Sequence, residues 1–341
     1  MATYKDAGVD IEAGDAASKI AYEAAKGTFA SRKGMIGEPV VLEGGFAGAM
    51  DFGDFYLIQN DDGIGTKMII AEQAGKYDTM GYDLLGMVCD DAICVGAEVV
   101  SMSNTIDVSK VDASVIEPLM KGLRDACIEQ KIVIPGGEIA ELGKMVNGYV
   151  WNATAVGIVE KHKFLTGDKV EVGDPIIGLK STLFRSNGIS LVRHIMTEKF
   201  GENWTKEEYK DGMTWGEAVL APTKIYHNAV LEMLGRYKEP AKCEIKAVVH
   251  ITGGGLPGNI PRVTKGFGAR LDNLPEPNPI MTQIKEFGNV SDEEAYKTWN
   301  MGVGMAIVSK DVDKVIEIAK AHDIEAQVIG EIVEEPGVVI I

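Results

Sequence analysis

Apolar positions along this chain fall into two rhythms. Short runs rich in β-branched and aromatic residues, Phe55–Gln59, 98–106, Lys131–Ile134 and Asn152–Val159, close in turn signals and predict strands. Between them, apolar residues recur at helical spacing. Ile20, Ala24 and Ala25 follow Asp15 and predict a helix to about Ser31. Leu84, Leu85, Met87, Val88, Ala92 and Ile93 follow Asp78-Thr79 and predict one to about Gly96. Val115, Ile116, Leu119, Met120, Leu123 and Cys127 follow Asp112 as a third. Residues 4–14 read as a loop or short arm, and 43–53 as a turn and short strand.

A polar, turn-rich stretch at 161–175 separates this part from a second one of the same kind. There, Ile176–Leu179, 248–252 and 327–329 read as strands, with helices over Ile189–Met196, from Pro222 through Tyr237, and near 311–321. Residues 201–216 are polar and irregular. At 341 residues the chain is too long for one ordinary core. The pattern predicts an α/β (α+β) protein of two domains, 1–165 and 166–341.

Hydrophobic content of 45% and charged content of 25% are those of a folded soluble protein. The net charge of −17 argues against nucleic acid or an anionic membrane as partner. An anionic substrate then has to be met locally, by a metal, helix N-termini or a few basic side chains. The four cysteines form no Cys-x-x-Cys and read as reduced residues of a cytoplasmic protein. No N-terminal signal or membrane-length apolar run is present, and no His-Glu-x-x-His zinc motif.

Candidate chemistry centres on Asn60-Asp61-Asp62-Gly63-Ile64-Gly65-Thr66-Lys67. Two carboxylates can hold a hard cation, two glycines admit phosphate oxygens to the backbone amides, and Lys67 adds a point charge. An Asx-Gly turn between strands is the plainer reading. On the second helix Asp83 and Asp90 share a face, with Asp91 beside it; buried carboxylates there need a partner or a metal. Gly136-Gly137 precedes Glu138 and Glu141, which face the same way if the segment is a helical turn. Three acidic groups beside apolar elements point to a Mg²⁺–nucleotide site. Ser186-Asn187-Gly188 opens a helix that can take an anion. Gly253–Gly258 contains Gly-x-Gly-x-x-Gly, but Pro257 sits where a dinucleotide fold needs its helix to run, and no P-loop occurs.

Taken in order, these motifs resemble the aminoimidazole ribonucleotide synthetase (phosphoribosylformylglycinamidine cyclo-ligase) family over nearly the whole chain. The resemblance runs through Tyr4–Ile11, Asp62–Lys67, Asp78-Thr79 with Gly81 and Asp83, Asp91, and Gly96-Ala97-Glu98. It continues through Gly136–Glu138 with Ala140-Glu141, Ser186–Gly188 with Ser190–Arg193, and Leu220–Thr223. His250–Gly255, Asn259–Arg262 and Asn300–Met305 complete it. It implies a two-domain synthetase fold in which N-terminal strands of two subunits pair into a barrel in a homodimer. It also implies that ATP phosphorylates the formyl amide oxygen of formylglycinamidine ribonucleotide. The amidine nitrogen then closes the ring, giving aminoimidazole ribonucleotide, ADP and phosphate.

Carried over, the nucleotide side takes Asp62, Gly63, Gly65, Thr66, Lys67, Asp91, Gly136, Gly137 and Glu138, with Mg²⁺ on Asp62, Asp91 and Glu138. A K⁺ requirement stays open. The substrate side takes Arg185, Ser186, Asn187, Gly188, His250, Gly253 and Gly254, and catalysis rests on Asp62, Lys67, Asp91, Glu138 and His250. The chain departs from the family pattern in having Asp90 for an Asn, Arg185 for a His, Asn104 and Asn152 for Asp, Ile139 for a Thr and Tyr22 for a Lys. Arg185, charged at any working pH, is expected either to hold a substrate anion or to face solvent. Other ATP-using members of the superfamily (selenophosphate synthetase, thiamine monophosphate kinase, hydrogenase maturation proteins) and a non-catalytic scaffold remain alternatives.

Overall fold

The computed structural model describes residues 2–42 and 45–341, without the side chains at 11, 12 and 15. The first part contains α1 (Ile11–Phe29), β1 (Glu38–Val40), β2 (Gly48–Asp51), β3 (Phe55–Gly63), α2 (Lys67–Ala74) and α3 (Met80–Ile93). It continues with β4 (Glu98–Val108), α4 (Ala113–Gln130), β5 (Gly137–Glu141) and β6 (Tyr149–Glu160). Its strands form one sheet in the order β1-β2-β3-β6-β4-β5, antiparallel except for the parallel β4–β5 pair. Alternation along the strands separates two faces. Asp62, Ala153 and Asn104 align on the face covered by helices; Asn152, Thr105 and Glu138 align on the other, which is exposed.

The second part begins with β7 (Pro175–Lys180), α5 (Ile189–Phe200), the hairpin β8 (Glu208–Lys210) and β9 (Met213–Thr214), α6 (Trp215–Val219) and α7 (His227–Leu234). It ends with β10 (Ala247–His250), α8 (Gly255–Asn259), β11 (Gly268–Leu271), α9 (Pro279–Phe287), α10 (Asp292–Thr298), β12 (Val303–Val308), α11 (Val312–Ala321), β13 (Ala326–Val333) and β14 (Val338–Ile340). The second sheet runs β10-β12-β7-β13-β11-β14. One apolar core surrounds this sheet, with Ile177, Leu179, Val248, Ile307 and Ile329 at its centre. The other lies under α2–α4 and continues into α5, α6, α9 and α10 through Leu191, Val219, Met281 and Ala295. The first core thus draws side chains from both sides of 161–174. The N-terminal arm also crosses over: the Ala2 amide donates to Gly288 O at 3.0 Å and the Tyr4 amide to Glu294 Oε1 at 2.8 Å.

Several local expectations change. Helix α1 starts at Ile11 and is capped by Asp10, which accepts the Ala13 amide at 3.1 Å; the Asp15 side chain lies outside the described residues. Of the predicted turn and strand over 43–53, Glu43 and Gly44 also lie outside them, and β2 is the strand. The segment 222–226 is not helical despite Pro222, because its side chain and amide groups are engaged by carboxylates of α3; the helix begins at His227. Glu138 and Glu141 lie on a strand, so three residues of separation place them on opposite faces. Lys131–Ile134 contributes only a bridge, Val133 to Ser101.

Candidate active site

The end of β3, the C-terminal half of α3, the end of β10 and the turn before α5 meet at one place. Gly63 closes β3 where a Cβ would lie 2.1 Å from Asn152 Oδ1, so no other residue fits. Gly65 holds a left-handed turn at φ 65°, which lets the chain reverse into α2. Between them and the helix-covered face sits Asp62, its Oδ1 accepting the Gly63 amide at 2.7 Å. Burial first, then the nearby Asp91 charge, push its carboxyl up to about 6.

Asp91 belongs to α3 and keeps 17% side-chain exposure. Its Oδ1 lies 2.7 Å from Nδ1 of His250, which is fully buried at the end of β10. Burial pushes Asp91 up to about 7, with Arg262, Arg185 and Asn60 pulling it back. Burial, and next the Arg185 charge, drive His250 well below the usual imidazole range. A neutral His250 ring with its proton on Nδ1 donates to Asp91 in this contact. The Asp91 charge thus adds to burial in raising the proton affinity of Asp62, a strain that a divalent cation would relieve. At the same strand end, on the open face of the sheet, a cavity of 360 Å³ is lined by Asp61, Gly63, Ser103, Thr105, Asn152 and Thr154 and touches Asp62; Asp91 and His250 do not line it. A larger cavity of 630 Å³ lies between Tyr82, Pro222, Lys224 and His322, away from Asp62 and Asp91; of its two carboxylates, Glu129 and Asp323, the first accepts the Tyr82 hydroxyl at 2.6 Å.

Other predicted residues are placed differently. Lys67, expected on phosphate, is 1% exposed and its Nζ lies 2.7 Å from Asp83 Oδ1, itself fully enclosed. Arg185, expected at a substrate anion or in solvent, is enclosed as well. Its Nη2 lies 2.5 Å from Asp90 Oδ2, with neither side chain exposed. Both guanidinium amino groups also reach carbonyls, Gly304 O and Gly86 O, each at 3.3 Å. A phosphate has no access to either cation. Glu138 stands exposed on the open face of the first sheet, three strands from Asp62 and pointing the other way, roughly 14 Å across. Asp62, Asp91 and Glu138 therefore form no common cage, and among the described residues no three acidic, His or Cys side chains do. Gly136 and Gly137 are exposed at the start of β5.

The turn before α5 is brought to the site. Ser186 Oγ reaches Asp83 at 3.4 Å, Asn187 Nδ2 approaches Met87 Sδ at 3.7 Å, and Gly188 is left-handed and also lies where Trp299 would meet a Cβ at 2.3 Å. Thr66 Oγ1 lies 3.1 Å from Ser190 Oγ, joining the β3–α2 turn to α5. Gly253 and Gly254 form the loop into α8, held by Asn259, whose amide donates to Gly253 O at 3.2 Å and Gly255 O at 2.8 Å. Sequence reasoning left out three residues that matter: Asn259, Thr223, and Arg262, which lies over the Phe46 ring at 3.7 Å and bears on Asp91. Asn259-Ile260-Pro261-Arg262 and Pro222-Thr223 had stood out as motifs; that their side chains turn inward was the missing signal.

This geometry can be set beside known proteins. Residues 44–159 match the AIR synthase related protein N-terminal domain and residues 171–341 its C-terminal domain. In fold the chain is similar to a thiamine-monophosphate kinase from Stenotrophomonas maltophilia (TM-score 0.60, 15% identity, 89% of this chain and 90% of that one). It is likewise similar to E. coli HypE, a hydrogenase maturation protein (TM-score 0.58, 15% identity, 83% and 82%). In sequence it is 40% identical to the phosphoribosylformylglycinamidine cyclo-ligase of Methanocaldococcus jannaschii, over 98% of this chain and 93% of that protein. The one from Thermococcus kodakarensis is also 40% identical, over 99% and 97%. The two-domain α/β fold with its open, curled sheet is that of the AIR synthase related proteins. Within that class the chain belongs to the phosphoribosylformylglycinamidine cyclo-ligase family.

Proposed function

We propose that the cluster around Asp62, Asp91 and His250 is the site of an ATP-dependent cyclo-ligase of purine biosynthesis. The chain is a ligase that cyclises formylglycinamidine ribonucleotide to aminoimidazole ribonucleotide, with ADP and phosphate as the other products. The observation that carries the site is Asp62, set before the Gly63–Gly65 turn, with the Asp91 charge of α3 acting on it and the Asp91 Oδ1 lying 2.7 Å from His250 Nδ1. Two carboxylates with oxygens to spare suit Mg²⁺, which characteristically binds one or two carboxylates and completes its shell with water and phosphate. When bound it offsets the charge on the transferring phosphoryl group.

The chain's own groups then divide the work. Asp62 is oriented by the Gly63 amide and Asp91 by His250, each through Oδ1. The backbone of Gly63–Thr66 lies against the triphosphate, and Ser186–Gly188 with Gly253-Gly254 faces the ribonucleotide. Phosphorylation makes the formyl amide oxygen a leaving group, the amidine nitrogen attacks that carbon, and the oxygen departs with phosphate. Lys67 and Arg185 act behind the cleft surface, through their carboxylate partners.

The N-terminal unit, 1–165, also carries the homodimer contact in this reading. Helices cover one face of its sheet, while Val100, Ser103, Thr105, Val150 and Asn152 lie exposed on the other; pairing two such sheets into a barrel covers the apolar members. No helix of the described residues is long and apolar enough to cross a membrane, and the reading places the enzyme in the cytoplasm. The test is ADP release that depends on formylglycinamidine ribonucleotide, with the imidazole product identified by mass. ADP release with thiamine monophosphate, or AMP and phosphate release with selenide, and no turnover with the ribonucleotide, overturns the reading.

A further inference from the structure

Helix α3 carries Asp83 and Asp90 two turns apart on one face, and both carboxylates are sealed from solvent. Their partners follow a pattern. Asp83 Oδ1 receives the Thr223 hydroxyl and, at 3.4 Å, the Ser186 hydroxyl, besides Lys67. Asp90 receives Arg185 on Oδ2 and the Tyr226 backbone amide on Oδ1 at 3.0 Å. Arg185 and Ser186 are neighbours in the turn before α5; Thr223 and Tyr226 belong to the extended run before α7. Each carboxylate therefore ties both segments of the second half to one helix of the first.

The local backbone is shaped to permit this. Arg185 is left-handed at φ 59° and lies over the Tyr226 ring at 5.1 Å. Gly86 leaves the room: a Cβ there would come within 2.8 Å of Thr223 Cγ2 and 3.2 Å of Arg185 Nη2. Arg185 Nε and Asp83 Oδ2 have no hydrogen-bond partner among the described residues. Buried ion pairs of this kind add little over well-packed apolar residues, so stability alone does not account for two of them on one helix face.

We infer that Asp83, Asp90, Arg185 and Thr223 are positioning residues that lock the Ser186–Gly188 turn to α3. The lock keeps the ribonucleotide side of the cleft in register with Asp91, two turns further along the same helix from Asp83. Which substrate faces the turn rests on the function proposed above; the lock itself does not.

Thr223→Val keeps the volume and removes the hydroxyl, and Thr223→Ser restores it. In Thr223→Val the KM for formylglycinamidine ribonucleotide should rise about tenfold, with KM for ATP unchanged and Thr223→Ser close to wild type. Independently of turnover, amide hydrogen exchange over 183–192 should quicken about tenfold in Thr223→Val and Asp90→Asn, while α11 stays as it was. Unchanged exchange over 183–192 in Thr223→Val overturns the inference, even if Asp90→Asn fails to fold. Faster exchange with an equal rise in both KM values overturns the positioning role. If the wild-type enzyme releases no ADP with the ribonucleotide, the functional reading falls, and the exchange result still decides the lock.

Discussion

Two pairs of carboxylates meet in the same few turns of chain and are used in opposite ways. Asp83 and Asp90 are enclosed, each already holding a buried cation and groups from the second half of the chain. Asp62 and Asp91 are less enclosed, pair with no Lys or Arg among the described residues, and are both pushed up by burial. The first pair has its charge balanced within the protein; the second leaves a balance to be completed by a ligand. Charge on a helix face thus separates into architecture and chemistry according to whether a basic side chain of the same chain reaches it.

The largest effect that separates the pairs is on turnover. Asp91→Asn keeps the size and the contact with His250 but removes the ligand charge, and should lower ADP release roughly a thousandfold with the circular dichroism spectrum unchanged. Near-normal rates in that variant would remove the cleft pair from the mechanism. Next comes stability. Lys67→Met leaves Asp83 as an uncompensated buried charge and should reduce unfolding free energy by about 3 kcal/mol in urea. The double change Lys67→Met with Asp83→Leu should recover much of that loss. A single variant as stable as wild type would mean that the sealed pair carries no structural role.

How far the sequence foretold this varies with the kind of residue. The buried, acidic face of α3 was legible because apolar neighbours flank Asp83 and Asp90 on every turn. The glycine turn after β3 was legible from Asp62–Lys67, although that stretch alone fits an Asx-Gly turn between strands equally well. What stayed hidden was partnership. A lysine after a glycine turn and an arginine before a helix start both read as phosphate ligands, yet Lys67 and Arg185 turn inward, toward carboxylates 16 and 95 positions away. Glu138 misled for a geometric reason: its spacing from Glu141 fits a helix, and parallel pairing with β4 makes it a strand. Asp90 and Arg185 stand where the family resemblance leads one to expect an Asn and a His, and the structure puts these two departures in direct contact.

The joint between the halves also contains a buried group with no charge to balance. His227 Nε2 accepts the Val99 amide at 3.0 Å, and burial, aided by Arg236, pushes its pKa down to about 3. An unfolded chain binds that proton near 6.5 and the folded one does not, so this contribution is full above 6.5 and is lost as pH falls toward 3. The loss should approach 1.4 kcal/mol per pH unit, roughly, between the two values. In His227→Gln, whose amide oxygen can still accept from Val99, the decline of the urea midpoint from pH 7 to 5 should be shallower than in wild type. Parallel declines would show that the joint does not sense pH through this ring.

The smallest expected effect sharpens the comparison most, because the two pairs should respond with opposite sign. Asp62 is pushed up to about 6 against an ordinary 3.8, chiefly by burial and then by Asp91. A raised carboxyl contributes stability below the unfolded value and loses it as pH rises through the folded one. Above pH 6 the ligand-free protein therefore carries a buried charge, penalised by desolvation and then by Asp91, that Asp62→Asn removes while keeping an oxygen for the Gly63 amide. That variant should be more stable than wild type at pH 7.5 by on the order of 1 kcal/mol, after allowing for solvent screening, and nearly equal to it at pH 4.5. It should also lose the rise in melting temperature that Mg²⁺ and ATP together give wild type. Thermal unfolding at both pH values, with and without Mg-ATP, reads all of these. If Asp62→Asn is destabilised at pH 7.5, Asp62 belongs with Asp83 and Asp90, and the division between balanced and waiting carboxylates fails.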